Sequence, residues 1–279
     1  MIRGAGDLAS GVALRLWRAG MDVVLLDVEK PTAIRRTVAF SEAIVHGKQT
    51  VEDVTARLAT AETAEETLAA GMIPVLVDPE GRSIPTLRPD ALVDAILAKR
   101  NLGTEIRDAP VVIGIGPGFT AGADCHAVVE TMRGHTLGRV IYRGSALPNT
   151  NIPGLIGGYA GERVLRAPAD GIFCQKLEIG AVVRAGDVAG EVAGQPMRCT
   201  IDGVLRGILA DGTPVFRGMK AGDVDPRCKP EYCTTASDKA LAVGGGVLEA
   251  ALRTAADWIA GEDLPQVEFS AVRGLEGIK

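Results

Sequence analysis

Asp124-Cys125-His126 sets a thiol between a carboxylate and an imidazole, and Glu130, Arg133 and His135 follow shortly after. The chain has 3 histidines, and two of them fall here. The stretch from about Asp124 to Met132 reads as a helix, which would place Cys125 near its N-terminus and His126 and Glu130 on one face. A thiol in that position ionises readily, because the helix dipole and a neighbouring imidazole stabilise the thiolate. Cys125 as nucleophile with His126 or His135 as base, or Cys125 as carrier of a sulfur or selenium atom, is one reading. A partly buried cysteine beside a capping aspartate is the other. No second Cys/His pair shows zinc-type spacing, so no metal ligands are assigned.

A second chemistry is phosphate recognition. Gly4-x-Gly6-x-x-Ala9 is followed by Asp27, 21 positions after Gly6. Glycines let a strand–helix turn approach a pyrophosphate, the helix N-terminus supplies free N–H donors, and the acidic residue meets a ribose hydroxyl. Asp7 would stand beside that phosphate with the wrong charge, and a tight turn holding no ligand is the competing reading. Gly116-Pro117-Gly118, inside Gly114–Gly122, repeats the arrangement after another apolar run. Two such bends on one parallel sheet would face a common crevice, where ligands of open α/β sheets bind. Ser237-Asp238-Lys239 opens the last helix, where Ser237 and the Lys239 ammonium could hold an anion. The stretch Asp223–Cys233 reads by default as a linker, since Cys228 and Cys233 lie too far apart for a redox or metal pair.

These residues need a scaffold, and the first half of the chain supplies short apolar runs alternating with helix-like stretches, the pattern of βαβ construction. A helix is expected to Gly20, strands at 23–26, 73–77, 111–115 and 140–142, a helical stretch over 51–70, and an amphipathic helix opened by Pro89 with Leu92, Val93, Ile96 and Leu97 inward. From Arg163 short β runs take over, and Asp170-Gly171, Gly180, Val183, Gly186 and Gly190 recur 32 residues later as Asp202-Gly203, Gly212, Val215, Gly218 and Gly222. Two copies imply a small two-fold β structure, since neither copy alone buries its apolar face. Gly244–Gly246 inside the last helix cost about 1 kcal/mol each, so a close neighbour, another helix or a ligand, is expected there.

Composition narrows the class. The 279 residues are 47% hydrophobic and 23% charged, the balance of a folded globular chain. A net charge of −5 and 4% aromatics argue against nucleic acid and anionic membrane surfaces. The apolar run 109–123 is too short and too broken by glycine to span a bilayer. Arg3 and Asp7 leave no secretory h-region at the start, and 5 cysteines read as reduced thiols, so a cytoplasmic protein is expected.

The duplicated segment resembles biotinyl- or lipoyl-type barrel-sandwich domains, but its central hairpin 191–196 has no lysine to carry a prosthetic group, which leaves a structural or docking role. Over most of the chain, Ile2–Ala9, Val93–Asn101, Gly116–Gly122, Val128–His135, Gly222–Arg227 and Ser237–Lys239 resemble the selenium-dependent molybdenum hydroxylase accessory (maturation system) proteins. The resemblance implies a protein that helps mature molybdenum hydroxylases, with the apo-hydroxylase or other maturation proteins as partners, and a chain that starts inside the family's first strand.

The expected fold is α/β: a Rossmann-like parallel sheet domain over 1–162, completed by the C-terminal helix at 237–279, with a barrel-sandwich β domain inserted at 163–226. Gly4, Gly6, Asp7, Asp27, Gly116, Gly118, Ser237 and Lys239 would hold a nucleotide or nucleotide-bearing cofactor, NAD(P) or a molybdopterin dinucleotide among them. Cys125, His126 and His135 would line the same crevice. An NAD(P)-dependent oxidoreductase and a non-catalytic cofactor-insertion chaperone are the alternatives. Catalysis, the ligand's identity and homo-oligomer formation stay open.

Overall fold

Nine strands form one sheet in this computed structural model, which describes residues 1–150, 152–260, 273–274 and 277–278. They are β1 (Ile2–Arg3), β2 (Leu25–Asp27), β3 (Lys48–Val51), β4 (Val54–Ala59), β5 (Ile73–Val77), β6 (Ala91–Asp94), β7 (Val111–Ile115), β8 (Ala127–Val129) and β9 (Val140–Ile141). Their order is β3-β4-β5-β2-β1-β6-β7-β8-β9. The seven central strands are parallel, and β3 and β9 close the two edges antiparallel. Parallel strands covered on both faces read as unbroken apolar runs, and β7 is buried at every residue.

Helix α1 (Asp7–Arg18) and the long α5 (Asp238–Ala260) pack together on one face. Three short helices, α2 (Glu42–His46), α3 (Ala64–Ala69) and α4 (Ile84–Leu87), sit in the connections. The glycines within α5 have the neighbour they require. A Cβ on Gly244 would meet the Gly11 carbonyl of α1 at 2.8 Å, and one on Gly246 would overlap the Gly138 backbone. Opposite these helices, Leu92, Val112, Phe119, Cys125 and Val128 form a second core, which Ala121 from the bend after β7 and Ala146 from beyond β9 complete.

Three expected helical stretches are different in the structure. Residues 91–94 form β6, pinned between β1 and β7 by the pairs Ile2–Val93 and Val93–Ile113. Leu92 and Val93 face opposite cores, which an alternating strand achieves and a helix face does not. Beyond the strand, Leu97 and Lys99 take positive φ, which forbids helix continuation. Residues 127–129 form β8, whose β-branched Val128 and Val129 also serve the two opposite cores. Within 51–70 a β3–β4 hairpin precedes α3, so the alanine-rich stretch is only partly helical.

The glycine-punctuated segment makes two four-stranded sheets around one core of Phe173, Val192, Leu205, Ile208 and Val224. Its strands are β10 (Val164–Arg166), β11 (Gly171–Gln175), β12 (Val182–Val183), β13 (Val188–Val192), β14 (Gln195–Arg198), β15 (Gly203–Ile208), β16 (Pro214–Val215) and β17 (Lys220–Asp225). The sequence duplication maps onto the strands: β11, β12 and β13 correspond to β15, β16 and β17 at the same 32-residue offset. The copies interlock, because β12 of the first pairs with β15 of the second while β16 pairs back with β11. The fold is thus mixed α/β, with a large mixed sheet and a second, all-β part. Among the described residues no helix is long and apolar enough to cross a membrane. The expected C-terminal helical region is described as far as Ala260, and most of the expected 261–279 segment lies outside the described residues.

Candidate functional site

Because β1 and β7 are parallel within one sheet, the bends that follow them open on the same edge. Two adjoining hollows of about 900 and 560 Å³ lie there, between that edge and the all-β part. The larger is bordered by Ile115, Pro117, Met132, Leu147 and Ile152, the smaller by Gly4, Gly6, Asp7 and Asp27. Leu97, Arg133, Gly154, Lys220 and Lys239 border both.

The glycines of the two bends do different work. Gly4 has φ +100, and a Cβ there would meet the Ala95 carbonyl at 2.8 Å. A Cβ on Gly118 would strike the Arg100 backbone at 2.6 Å, and one on Gly116 would strike the Thr131 hydroxyl at 2.7 Å. These three are demanded by packing. Gly6 caps α1 with open space around it, and it is the glycine whose missing side chain leaves room for a guest.

Asp27 is bound into the turn itself. Its carboxylate accepts hydrogen bonds from the Ala5 N–H at 2.8 Å and the Val28 N–H at 2.7 Å. Burial pushes its pKa up, and those two N–H groups oppose the rise. Asp7, whose charge is unfavourable beside an anion, is met by two 3.0 Å bonds from the Arg35 guanidinium. Arg35 in turn donates to the carbonyls of Tyr232 and Thr235, tying α1 to the segment that leads into α5.

At the opening of α5, the Ser237 hydroxyl accepts the Ala240 N–H at 3.1 Å, an N-cap. Asp238 grips Arg133 through two bonds of 2.7 and 2.8 Å, and that guanidinium holds its carboxyl far below the usual range. Lys239 is half-buried and has no hydrogen bond or ion pair among the described residues. Lys220, contributed by β17, is exposed and likewise has no hydrogen bond or ion pair among the described residues. Desolvation by the surrounding walls lowers both ammonium pKa values. Arg133 and Lys220 press the Lys239 value down further, while Asp7 partly offsets them. Beneath the crevice, Asp223 accepts from Arg163 at 2.8 Å and from Arg206 at 2.9 and 2.5 Å. Lys220 had no motif to announce it; its contribution comes from its place at the start of a strand ending on the crevice.

Cys125, His126 and His135 border neither hollow. Cys125 follows a turn and precedes β8 instead of opening a helix, and it is fully buried in the second core. Burial pushes its thiol up to about 11, the reverse of an activated nucleophile. His126 accepts the Val112 N–H on Nδ1 at 2.9 Å, and burial lowers its pKa, so the ring is a neutral structural acceptor. His135 is exposed on the loop before β9. Glu130 is also structural, receiving the N–H groups of Thr131, Met132 and Leu147. Replacing Cys125 by serine and His126 by alanine is therefore expected to leave ligand affinity within about twofold while lowering stability. Calorimetric titration beside thermal unfolding checks this, and a larger affinity loss would return the pair to the site. Among the described residues, no group of three or more His, Cys, Asp or Glu side chains is placed to hold a metal ion.

The family model for the iron-only hydrogenase large subunit, C-terminal domain, matches residues 217–279. The chain is 54% identical over 251 residues to the uncharacterized protein YqeB of Escherichia coli (strain K12), covering 90% of this chain and 46% of that protein. It is 42% identical over 64 residues to the NADP-reducing hydrogenase subunit HndD of Solidesulfovibrio fructosivorans, covering 23% of this chain and 10% of that one. The chain thus spans less than half the length of these curated relatives. Among solved structures, an aspartoacylase family protein from Mesorhizobium loti aligns at 8% identity and TM-score 0.26, over 72% of this chain and 84% of that one. The apo ectoine utilization protein EutE (DoeB) of Ruegeria pomeroyi aligns at 13% identity and TM-score 0.23, over 80% and 87%. Likenesses at these scores carry no argument about fold or function.

Proposed function

We propose that this crevice binds a phosphate-bearing organic cofactor, a nucleotide or a nucleotide-bearing molecule, and that the protein acts as an accessory in the maturation of selenium-dependent molybdenum hydroxylases. The observation that carries the binding reading is the pair Lys220 and Lys239. Two unpartnered cations that repel each other in a partly desolvated hollow are costly in the free protein, and an anionic guest relieves that cost. The Gly4–Gly6 turn beside them supplies the N-terminus of α1, an added attraction for phosphate. The finer fold reading, a Rossmann-like sheet domain joined to a barrel-sandwich β domain, agrees with a ligand at the carboxyl edge of the parallel strands. The maturation role and its hydroxylase partner rest on the sequence resemblance.

A non-catalytic role, presenting a cofactor to an apo-enzyme, is favoured by one observation. Of the side chains best suited to nucleophilic or base chemistry, Cys125 is buried in the core, and the half-buried His126 has its Nδ1 occupied by the Val112 N–H. An oxidoreductase using NAD(P) predicts instead a change in nicotinamide absorbance with a small substrate.

Titration with NAD, NADP, ATP, CTP and molybdopterin cytosine dinucleotide tests the binding reading: dissociation constants below the millimolar range are expected, and none within it overturns the proposal. The pH dependence has a defined sign. An anion favours the charged lysines, whereas the free protein holds their protons more weakly than an ordinary lysine. Affinity is therefore expected to fall as pH rises toward the ordinary lysine value of about 10.4. Binding on the alkaline side should take up protons, measured as a buffer-dependent heat, and its absence would remove the lysines from the contact.

A further inference from the structure

We infer that the larger hollow receives the most highly charged end of the ligand, a chain of phosphates closed by a terminal phosphoryl group, with Lys99 and Arg166 holding that group beyond Lys220 and Lys239. The inference rests on the phosphate-binding reading above and specifies its ligand. Charge is divided unequally between the two hollows. Among the described residues, Lys99, Arg133, Arg166, Lys220 and Lys239 border the larger one, and no carboxylate does. Arg133 is paired with Asp238, whereas the other four have no ion pair among the described residues. Arg166 donates only to the Gly218 carbonyl. The smaller hollow has Asp7, Asp27 and Asp223 among its walls. Asp7 and Asp223 are met by arginines, but the Asp27 carboxylate receives only N–H groups and would repel a phosphate chain sent that way.

These cations come from distant parts of the chain, and each is placed at some cost to the free protein. Lys99 follows β6 with φ +63, a left-handed backbone that asparagine or glycine adopts more readily than lysine. Gly118 of the second bend packs against the neighbouring Arg100 backbone, so the segment carrying Lys99 is seated on the rim. Arg166 and Lys220 stand opposite each other in the β10–β17 pairing, where like charges repel. Lys239, at the start of α5, is repelled in turn by Arg133 and Lys220. A multiply charged anion in the larger hollow offsets all three arrangements at once. Lys220 and Lys239 border both hollows, whereas Lys99 and Arg166 border the larger alone. The first pair therefore meets the inner phosphates and the second pair the terminal one. A monophosphate held at the Gly4–Gly6 turn would reach only the first pair.

Affinity is thus expected to climb with the number of phosphates. In calorimetric titration of the full chain, at low ionic strength and with EDTA to remove divalent cations, ATP should bind at least tenfold more tightly than AMP. Inorganic tripolyphosphate, which carries no base, should likewise bind at least tenfold more tightly than orthophosphate. Lys99→Asn and Arg166→Gln should each weaken ATP at least fivefold while changing AMP less than twofold. Because asparagine suits the left-handed backbone, Lys99→Asn should also leave the unfolding temperature unchanged or raised. AMP binding as tightly as ATP overturns the inference and leaves the phosphate site standing. ATP affinity untouched by both variants, or an equal loss of ATP and AMP in them, does the same. Failure of every probe to bind overturns both readings.

Discussion

Asp223→Ala is expected to cost about 3–5 kcal/mol of folding stability, the usual penalty for stripping one partner from a buried ionic network. Asp223 is 3% exposed, and the arginines it holds, Arg163 and Arg206, are 5% and 8% exposed. Deleting the carboxylate leaves Arg163 its bond to the Gly154 carbonyl and Arg206 its 3.1 Å bond to Asp225. The carbonyl does not offset the desolvated Arg163 charge, and Asp225 must then serve Arg206 and Arg227 alone. Asp223→Asn keeps acceptor capacity and should cost less. Urea unfolding monitored by circular dichroism measures both variants; a loss under about 1 kcal/mol for alanine would mean that water already solvates the network. The consequence reaches the site, because this network forms the floor from which Lys220 projects.

Lys239→Glu is expected to abolish at least 100-fold of the affinity for a phosphate-bearing ligand, or about 2.7 kcal/mol. The variant removes an attraction and installs a repulsion beside Asp7. The same residue makes no bond that the fold depends on, and it sits among Arg133 and Lys220. The ligand-free variant should therefore unfold at the same temperature as the parent or higher. Loss of binding with gain of stability is the pattern of a residue retained for function against a folding cost. Titration calorimetry and thermal unfolding together check it, and a variant that binds normally would remove Lys239 from the site.

Much of this organisation is legible along the chain because it is local. The turn at Gly4–Gly6, the buried run of β7 and the glycines of α5 follow from backbone freedom and apolar patterning within a few residues. The helix expected from Pro89 fails for a physical reason: Leu92, Val93, Ile96 and Leu97 satisfy a helical spacing, but neighbours on both sides in the sheet impose a strand, and the positive φ of Leu97 and Lys99 ends it. Short apolar stretches with cores on both faces read alike in either state.

The thiol shows the same limit in chemical terms. Asp124-Cys125-His126 has a composition suited to an activated nucleophile, yet reactivity depends on solvation, and Phe119 and Leu92 share the core that excludes water from Cys125. The sequence by itself determined the strands β2, β5, β7 and β9, the duplicated β segment and the need for a close neighbour along α5, since each is written in spacing or in backbone freedom. Tertiary structure alone decided which charges remain unpaired. Arg35 meets Asp7, Arg133 meets Asp238, and Lys220 comes to stand with Lys239 over one hollow, because electrostatic partnership depends on distance through space between residues far apart in the chain.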